Sequence, residues 1–264
     1  MIAGQVVWIT GASSGIGEAL VQALSTEGAS IIMSSRKLDE LERVKQHTLH
    51  PERIVIRPLD LEDAGSLEEK TKLAIAAFGR IDIMIHNGGI SQRSLVVNTS
   101  MEVQRKVMEV DYFSYVALTR YLLPHFIANQ RGHFVVMSSV MGKIGTPMRS
   151  AYAAAKHALH GFFDCLRAEV YKDHIQVTII TPGYIRTKVS LNAVTGDGSP
   201  LGVMGKNIEQ GLPADQAALQ ILKAVDKGKY EAFVGKMGME RMGLIINRMA
   251  PAWFNKLARN QTPK

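Results

Sequence analysis

Among its 264 residues the chain has one cysteine, so no intramolecular disulfide framework exists. No Cys/His cluster has zinc-site spacing. Nor does any unbroken apolar stretch reach the roughly 18 residues that span a bilayer. The first residues, Met1 to Ala12, lack the charged segment and apolar run of a secretory signal, and a cytoplasmic location is expected. Acidic side chains are the scarcer charge, 24 Asp and Glu against 31 Lys and Arg, leaving a net charge of +7. What remains is 46% hydrophobic and 21% charged, a balance that excludes disorder or coiled coil and allows a sizeable core. The lone Cys165 lies in an apolar helical stretch and reads as a small buried thiol.

Short β-branched runs at 6–10, 30–34, 54–58, 81–85, 133–138, 175–180 and 231–234 alternate with helical patterns such as 17–27 and 38–46. That rhythm predicts a single-domain α/β fold, a Rossmann-like, doubly wound parallel sheet of about seven strands with helices on both faces. Two regions depart from it. Residues 188–211 are Gly-rich and polar, as in a lid loop that orders on binding; a helix with Pro in its first turn follows at 213–225. Residues 236–264 form a basic extension to the 1–235 body.

The first strand runs into Gly11-Ala12-Ser13-Ser14-Gly15-Ile16-Gly17. Glycines there let the backbone approach a pyrophosphate, and the free N–H groups of the following helix favour an anion. A Gly-rich turn can be an ordinary strand-to-helix turn, but its place after the first strand favours dinucleotide binding. An acidic residue closing the second strand would select NAD. Here the segment reads Met33-Ser34-Ser35-Arg36-Lys37, with no carboxylate and with Arg36 able to pair with a 2′-phosphate, so NADP(H) is expected. Asp60, in Pro58-Leu59-Asp60-Leu61, could accept from the adenine amine or cap the next helix.

Tyr152 and Lys156 are four residues apart with alanines between, which places both on one helical face. A nearby ammonium stabilises a phenolate and brings Tyr toward the range useful for proton transfer. Ser138 and Ser139 end an apolar strand, where parallel sheets present ligands. With TGxxxGxG at Thr10 to Gly17, Ser139 ahead of YxxxK at Tyr152 to Lys156, and Pro182-Gly183, in that order, the chain resembles the short-chain dehydrogenase/reductase family from about Val6 to Val234.

The resemblance implies that Tyr152 is the general acid in reduction and the base in oxidation. It implies that Ser139 hydrogen-bonds the substrate carbonyl, and that Lys156 holds the nicotinamide ribose and lowers the Tyr152 pKa. Asn87 and Gly89, in His86-Asn87-Gly88-Gly89, match the family's NNAG in part; His86 reads as a packed histidine. Pro182, Gly183, Ile185 and Thr187 match the segment beside the nicotinamide carboxamide. At Asp111 the family usually has an Asn that helps hold a water for proton relay. An ionised Asp cannot donate, and its charge would pair with Lys156 or oppose the lowering of Tyr152's pKa. Asp111 is carried as a fourth member of the catalytic set. The resemblance also implies a homodimer or homotetramer.

Leu191, Val194, Leu201, Val203 and Met204 suggest an apolar lining. The expected activity is therefore NADPH-dependent interconversion of a carbonyl, an apolar ketone or aldehyde, with its alcohol. The alternative is a catalytically weak NADP-binding adaptor that works through its tail. That tail holds six basic residues and one acid, Glu240, interleaved with Met, Ile, Trp253 and Phe254; the body is nearly neutral at 25 basic against 23 acidic. A basic amphipathic helix broken at Pro251 could lie on an anionic membrane as a peripheral contact, or pack on the body or across a subunit interface. No recognition motif accompanies the charge, so nucleic acid is not expected.

Overall fold

The computed structural model describes residues 2–236 and 238–259; the end of the tail, with Lys264, lies outside the described residues. Seven parallel strands form one sheet in the order β3-β2-β1-β4-β5-β6-β9. They are β1 Val6–Thr10, β2 Ser30–Ser34, β3 Ile54–Ile56, β4 Ile83–His86, β5 Gly132–Met137, β6 Ile175–Pro182 and β9 Glu231–Val234. Two-residue strands β7 Ile185–Arg186 and β8 Leu212–Pro213 pair separately. Every residue of β1 and β5 is buried, as the continuous apolar runs require of strands covered on both faces.

The helices are α1 Gly15–Thr26, α2 Leu38–Gln46, α3 Leu67–Phe78, α4 Met101–Met108, α5 Ser114–Ala128, α6 Ser150–Glu169, α7 Lys206–Glu209, α8 Ala214–Asp226, α9 Met239–Met249 and α10 Pro251–Ala258. One apolar layer joins Leu20 and Leu24 of α1 to Ile221 of α8 over Ile9 and Ile31. The other joins Leu118, Phe126 and Phe163 of α5 and α6 to Trp8 and Phe134. Strand order reverses between β1 and β4, which opens a crevice beyond their carboxyl ends. The motifs lie around that crevice.

Some boundaries moved. The third strand stops at Ile56 rather than at 58, and beyond it Asp60 Oδ1 accepts from the Glu62 N–H at 3.1 Å. Pro213 sits just ahead of α8 in the β7–β8 pair. Cys165 is exposed, contrary to the buried thiol expected, because it lies about 200° around α6 from the buried Phe163. The lid segment is tied down at Val194, whose N–H and C=O bond Ser91 O and Arg93 N at 2.8 Å each.

Candidate active site

The glycine loop is built by close approach. A Cβ on Gly11, at φ +64°, would lie 2.6 Å from Gly88 Cα, and one on Gly17 would run into Gly11 O. Only hydrogen fits at either place. Asn87 staples the loop to β4: its Nδ2 donates to Thr10 O at 3.0 Å and Gly11 O at 3.2 Å. Thr10 Oγ1 returns the contact, accepting from Asn87 N at 3.0 Å and Gly88 N at 3.1 Å. Ser14, extended at φ −165°, makes no side-chain cap on α1, which leaves the first amides of that helix to attract an anion. Ser13 and Ile16 flank this cradle, and the Thr187 methyl is 3.1 Å from where a Gly15 Cβ would stand. Arg36 is exposed beyond β2, while Ser34 is buried and accepts from Trp8 Nε1 at 2.9 Å. A Leu61 methyl closes on Gly88 at 2.7 Å from its would-be Cβ. These residues fit a dinucleotide: a Cβ-free cradle, open helix amides and a cation at the far edge.

Deeper in the crevice a π-helical turn, Glu109–Phe113, separates α4 from α5 and turns Asp111 inward. Such bulges re-aim side chains at functional sites. Asp111 is wholly buried; Oδ1 accepts from Ile90 N at 2.7 Å and Oδ2 lies 3.2 Å from Lys156 Nζ. Lys156, 4% exposed, also donates to Met137 O at 3.1 Å. Its ammonium stands 5.2 Å from the Tyr115 ring centre and 5.7 Å from that of Tyr152. Burial alone would push Lys156 down, but the Asp111 carboxylate and the two tyrosines outweigh it and hold the group above its ordinary range. Burial pushes Asp111 upward against the pull of Lys156, and it pushes Tyr115 upward too. The lysine therefore carries its proton, and its charge faces a carboxylate.

Ser139 Oγ accepts from Met141 N at 3.2 Å, which leaves its proton to donate to a substrate oxygen. Ser138 looks the other way, donating to Lys156 O at 3.2 Å and meeting His160 Nε2 at 3.0 Å. His86 is packed, as expected: it meets Thr119 Oγ1 at 2.9 Å and stacks on Tyr115 at 4.8 Å. Burial pushes its pKa down to about 3, so the ring is neutral.

On the other wall, Gly183 N donates to Val234 O at 2.9 Å, and Ile185 is buried. The next amide, Tyr184 N, donates to Glu240 Oε1 at 2.9 Å, and that carboxylate fills the place of a Gly183 Cβ. The tail is thus seated on the site. Asn247 Nδ2 donates to Lys143 O at 3.1 Å, Lys236 Nζ to Gln210 O at 2.6 Å, and Phe254 and Ala258 pack with Ile144. Of the two alternatives for the tail, packing on the body holds for this face. Met242, Ile245, Met249, Trp253 and Leu257 form another that stays exposed.

Thr10, Gly88, Tyr115 and Glu240 were not singled out from the sequence as site residues. For Glu240 the signal was there: it is the only acid in a basic tail. Among the described residues no group of His, Cys, Asp and Glu is placed to hold a metal ion, and no helix is long and apolar enough to cross a membrane.

The family model for short chain dehydrogenases matches residues 5–197. The chain is 42% identical over 258 residues to dehydrogenase/reductase SDR family member 7B of Xenopus laevis, covering 94% of this chain and 79% of that protein. Among solved structures it is similar to a short chain dehydrogenase/reductase from Burkholderia phymatum in complex with NAD, at TM-score 0.81 and 17% identity over 100% of this chain and 98% of that one. A short chain dehydrogenase from Burkholderia cenocepacia in complex with NADP gives TM-score 0.78 and 24% identity, with both chains fully covered.

Proposed function

We propose, from the premise that the chain belongs to the short-chain dehydrogenase/reductase family of oxidoreductases, that it interconverts a ketone or aldehyde and its alcohol with NADP(H). The observation that supports this reading is Lys156 held between Tyr152 and Asp111 beside Gly89, with Ser139 just after β5. When bound, the nicotinamide cofactor supplies or accepts the hydride. Gly11, Ser13, Ser14, Gly15, Ile16 and Gly17 would hold its pyrophosphate, with Asp60, Leu61, Asn87 and Gly89 along the adenosine and ribose side. Pro182, Gly183, Ile185 and Thr187 would flank the nicotinamide.

Ser139 donates to the carbonyl oxygen and polarises it. Tyr152 gives its phenolic proton to that oxygen in reduction and takes it back in oxidation. Lys156 favours the phenolate that reduction leaves on Tyr152. Asp111 keeps Lys156 charged and fixed, and at the same time moderates its pull on Tyr152. The catalytically weak adaptor is the less favoured reading, because a pure binder has no need of both Ser139 and Tyr152.

Arg36 and the missing second-strand acid support NADPH over NADH. The test follows NADPH and NADH oxidation with a panel of ketones and aldehydes. NADPH is expected to be preferred, and Arg36→Ala to weaken it by about tenfold or more relative to NADH, the scale of a charge-assisted pair. Equal losses for both would contradict the 2′-phosphate role; no turnover of any carbonyl would contradict the reaction. Cytoplasmic location and homo-oligomeric assembly belong to the same proposal. So does peripheral membrane contact, supported by the exposed Met242, Ile245, Met249, Trp253 and Leu257 beside Arg248 and Lys256. Trp8 is fully buried and Trp253 is 55% exposed, so anionic vesicles should shift Trp253 emission to the blue; no shift would remove the contact.

A further inference from the structure

Arg149 stands at the start of α6, three residues before Tyr152. It is placed there by Met148, a non-glycine residue held at φ +66° whose carbonyl accepts from Ser94 N at 3.1 Å. A left-handed methionine is strained backbone, which the surroundings must impose. The Arg149 guanidinium hydrogen-bonds Ser91 Oγ, and burial followed by the nearby charge of Arg93 presses its pKa below the usual arginine range. Tyr152 and Tyr184 are the other titratable groups that act on it. Ser91 and Ser94 bond Arg149 and Met148, so the segment that carries Arg93 lies against the start of α6 and brings two cations into one neighbourhood. Among the described residues neither has a carboxylate partner, although the chain pairs Arg43, Arg80, Arg131 and Arg167 with acids.

Unsatisfied polar groups lie in the same segments. Ser190, brought in by the lid and 3% exposed, has no hydrogen-bond partner for its Oγ. A Cβ at Gly205 would stand 3.5 Å from both that Oγ and Arg93 Nη1, so the two groups border one space. Gln92 Oε1 and Ser150 Oγ, in the same two segments as Arg93 and Arg149, are also buried without partners. Half-buried like charges and orphaned buried polar atoms are costly unless something satisfies them.

We infer that Arg93, Arg149 and Ser190 form an anion subsite for the substrate, and that the carbonyl compound this enzyme reduces carries a carboxylate or a phosphate ester beyond the reacting carbon. The inference deepens the reductase reading and rests on it for the position of the carbonyl. The cofactor's own phosphates belong on the glycine loop at the N-terminus of α1. An anion between Arg93 and Arg149 would relieve their repulsion, accept from the planar guanidinium groups and receive the Ser190 proton. It would also anchor the substrate by an end remote from the chemistry, which is how binding energy can orient a reacting carbonyl.

The test compares 2-octanone, 7-oxooctanoate and 7-oxooctyl phosphate, which share a methyl ketone and differ at the far end. The parent should show kcat/KM at least about tenfold higher for one of the two anionic ketones, and which one it is identifies the head group. Arg93→Gln and Arg149→Gln should each reduce that preference by about tenfold. Equal kcat/KM for the neutral and anionic ketones, or a preference untouched in both variants, would overturn the subsite. Arg93→Gln guards against a misfolded Arg149 variant, because Arg93 is only half buried. Should no ketone be reduced, inorganic phosphate titrated into protein saturated with NADP⁺ separates the two claims. A rise in Tm that Arg93→Gln abolishes keeps the subsite while the reductase reading falls, and no rise overturns the subsite as well.

Discussion

The cofactor end and the substrate end of the crevice are made in different ways. The first is backbone: Gly11, Gly17 and Gly88 pressed together, with Thr10 and Asn87 stapling β1 to β4. The second, as proposed, is a set of side chains from distant segments: Asp111 from a π-helical turn, Lys156 and Tyr152 from α6, Ser139 after β5, Arg93 and Ser190 from two loops, with Glu240 of the tail packed nearby on Tyr184. A backbone cradle tolerates no added carbon but many neighbouring side chains. A side-chain site tolerates isosteric exchange, and each exchange changes one kinetic property.

Gly17→Val gives the largest expected effect, because its side chain would drive into Gly11 O with no flexible neighbour to yield. Dinucleotide binding should fall by more than about 100-fold, the scale of several lost backbone contacts, as isothermal titration would measure. Retained affinity would show that the cradle is not built by close approach.

That difference explains what could be read in the sequence. The strands announced themselves as continuous apolar runs, and the glycine loop as a spacing, because each is a local, contiguous pattern. Tyr152 and Lys156 were legible because one helical turn joins them. Strand ends were less so: the third strand, expected to run through Arg57 and Pro58, stops at Ile56, where an edge strand paired only with β2 meets a proline that cannot donate to the ladder. Glu240 and Tyr184 are 56 residues apart and the fold alone joins them. Cys165 was misread because a mostly apolar helix still has an outer face. The +7 charge resolves similarly, since the tail carries most of it while one of its faces packs on the body.

The scaffold shared by both ends should fail in acid. Burial depresses His86 to about 3 and His133 to about 4, from an ordinary 6.5. An unfolded chain takes up these protons near pH 6.5 and the folded chain does not, so stability present above that pH is lost as pH falls toward 4. At pH 5 each histidine costs about 2 kcal/mol. Tm measured at pH 7.5 and pH 5 should fall clearly; no decline would show that the rings accept protons in the folded state.

A smaller and sharper effect is expected from Asp111→Asn. Removing the carboxylate leaves the Lys156 charge free to favour the Tyr152 phenolate. The pH profile of kcat/KM for alcohol oxidation should therefore move to lower pH, by about one unit. An unmoved profile would mean that Asp111 only fills space, and a move to higher pH would mean that Lys156 loses its proton without it.

The most direct trial of the whole account is Tyr152→Phe, followed by NADPH oxidation with a carbonyl that the parent reduces. Loss of the phenolic proton should lower kcat by about 10²- to 10⁴-fold while NADPH affinity stays within a few-fold of the parent. Turnover equal to that of the parent would contradict the central role of Tyr152 and, with it, the roles assigned to Lys156 and Asp111.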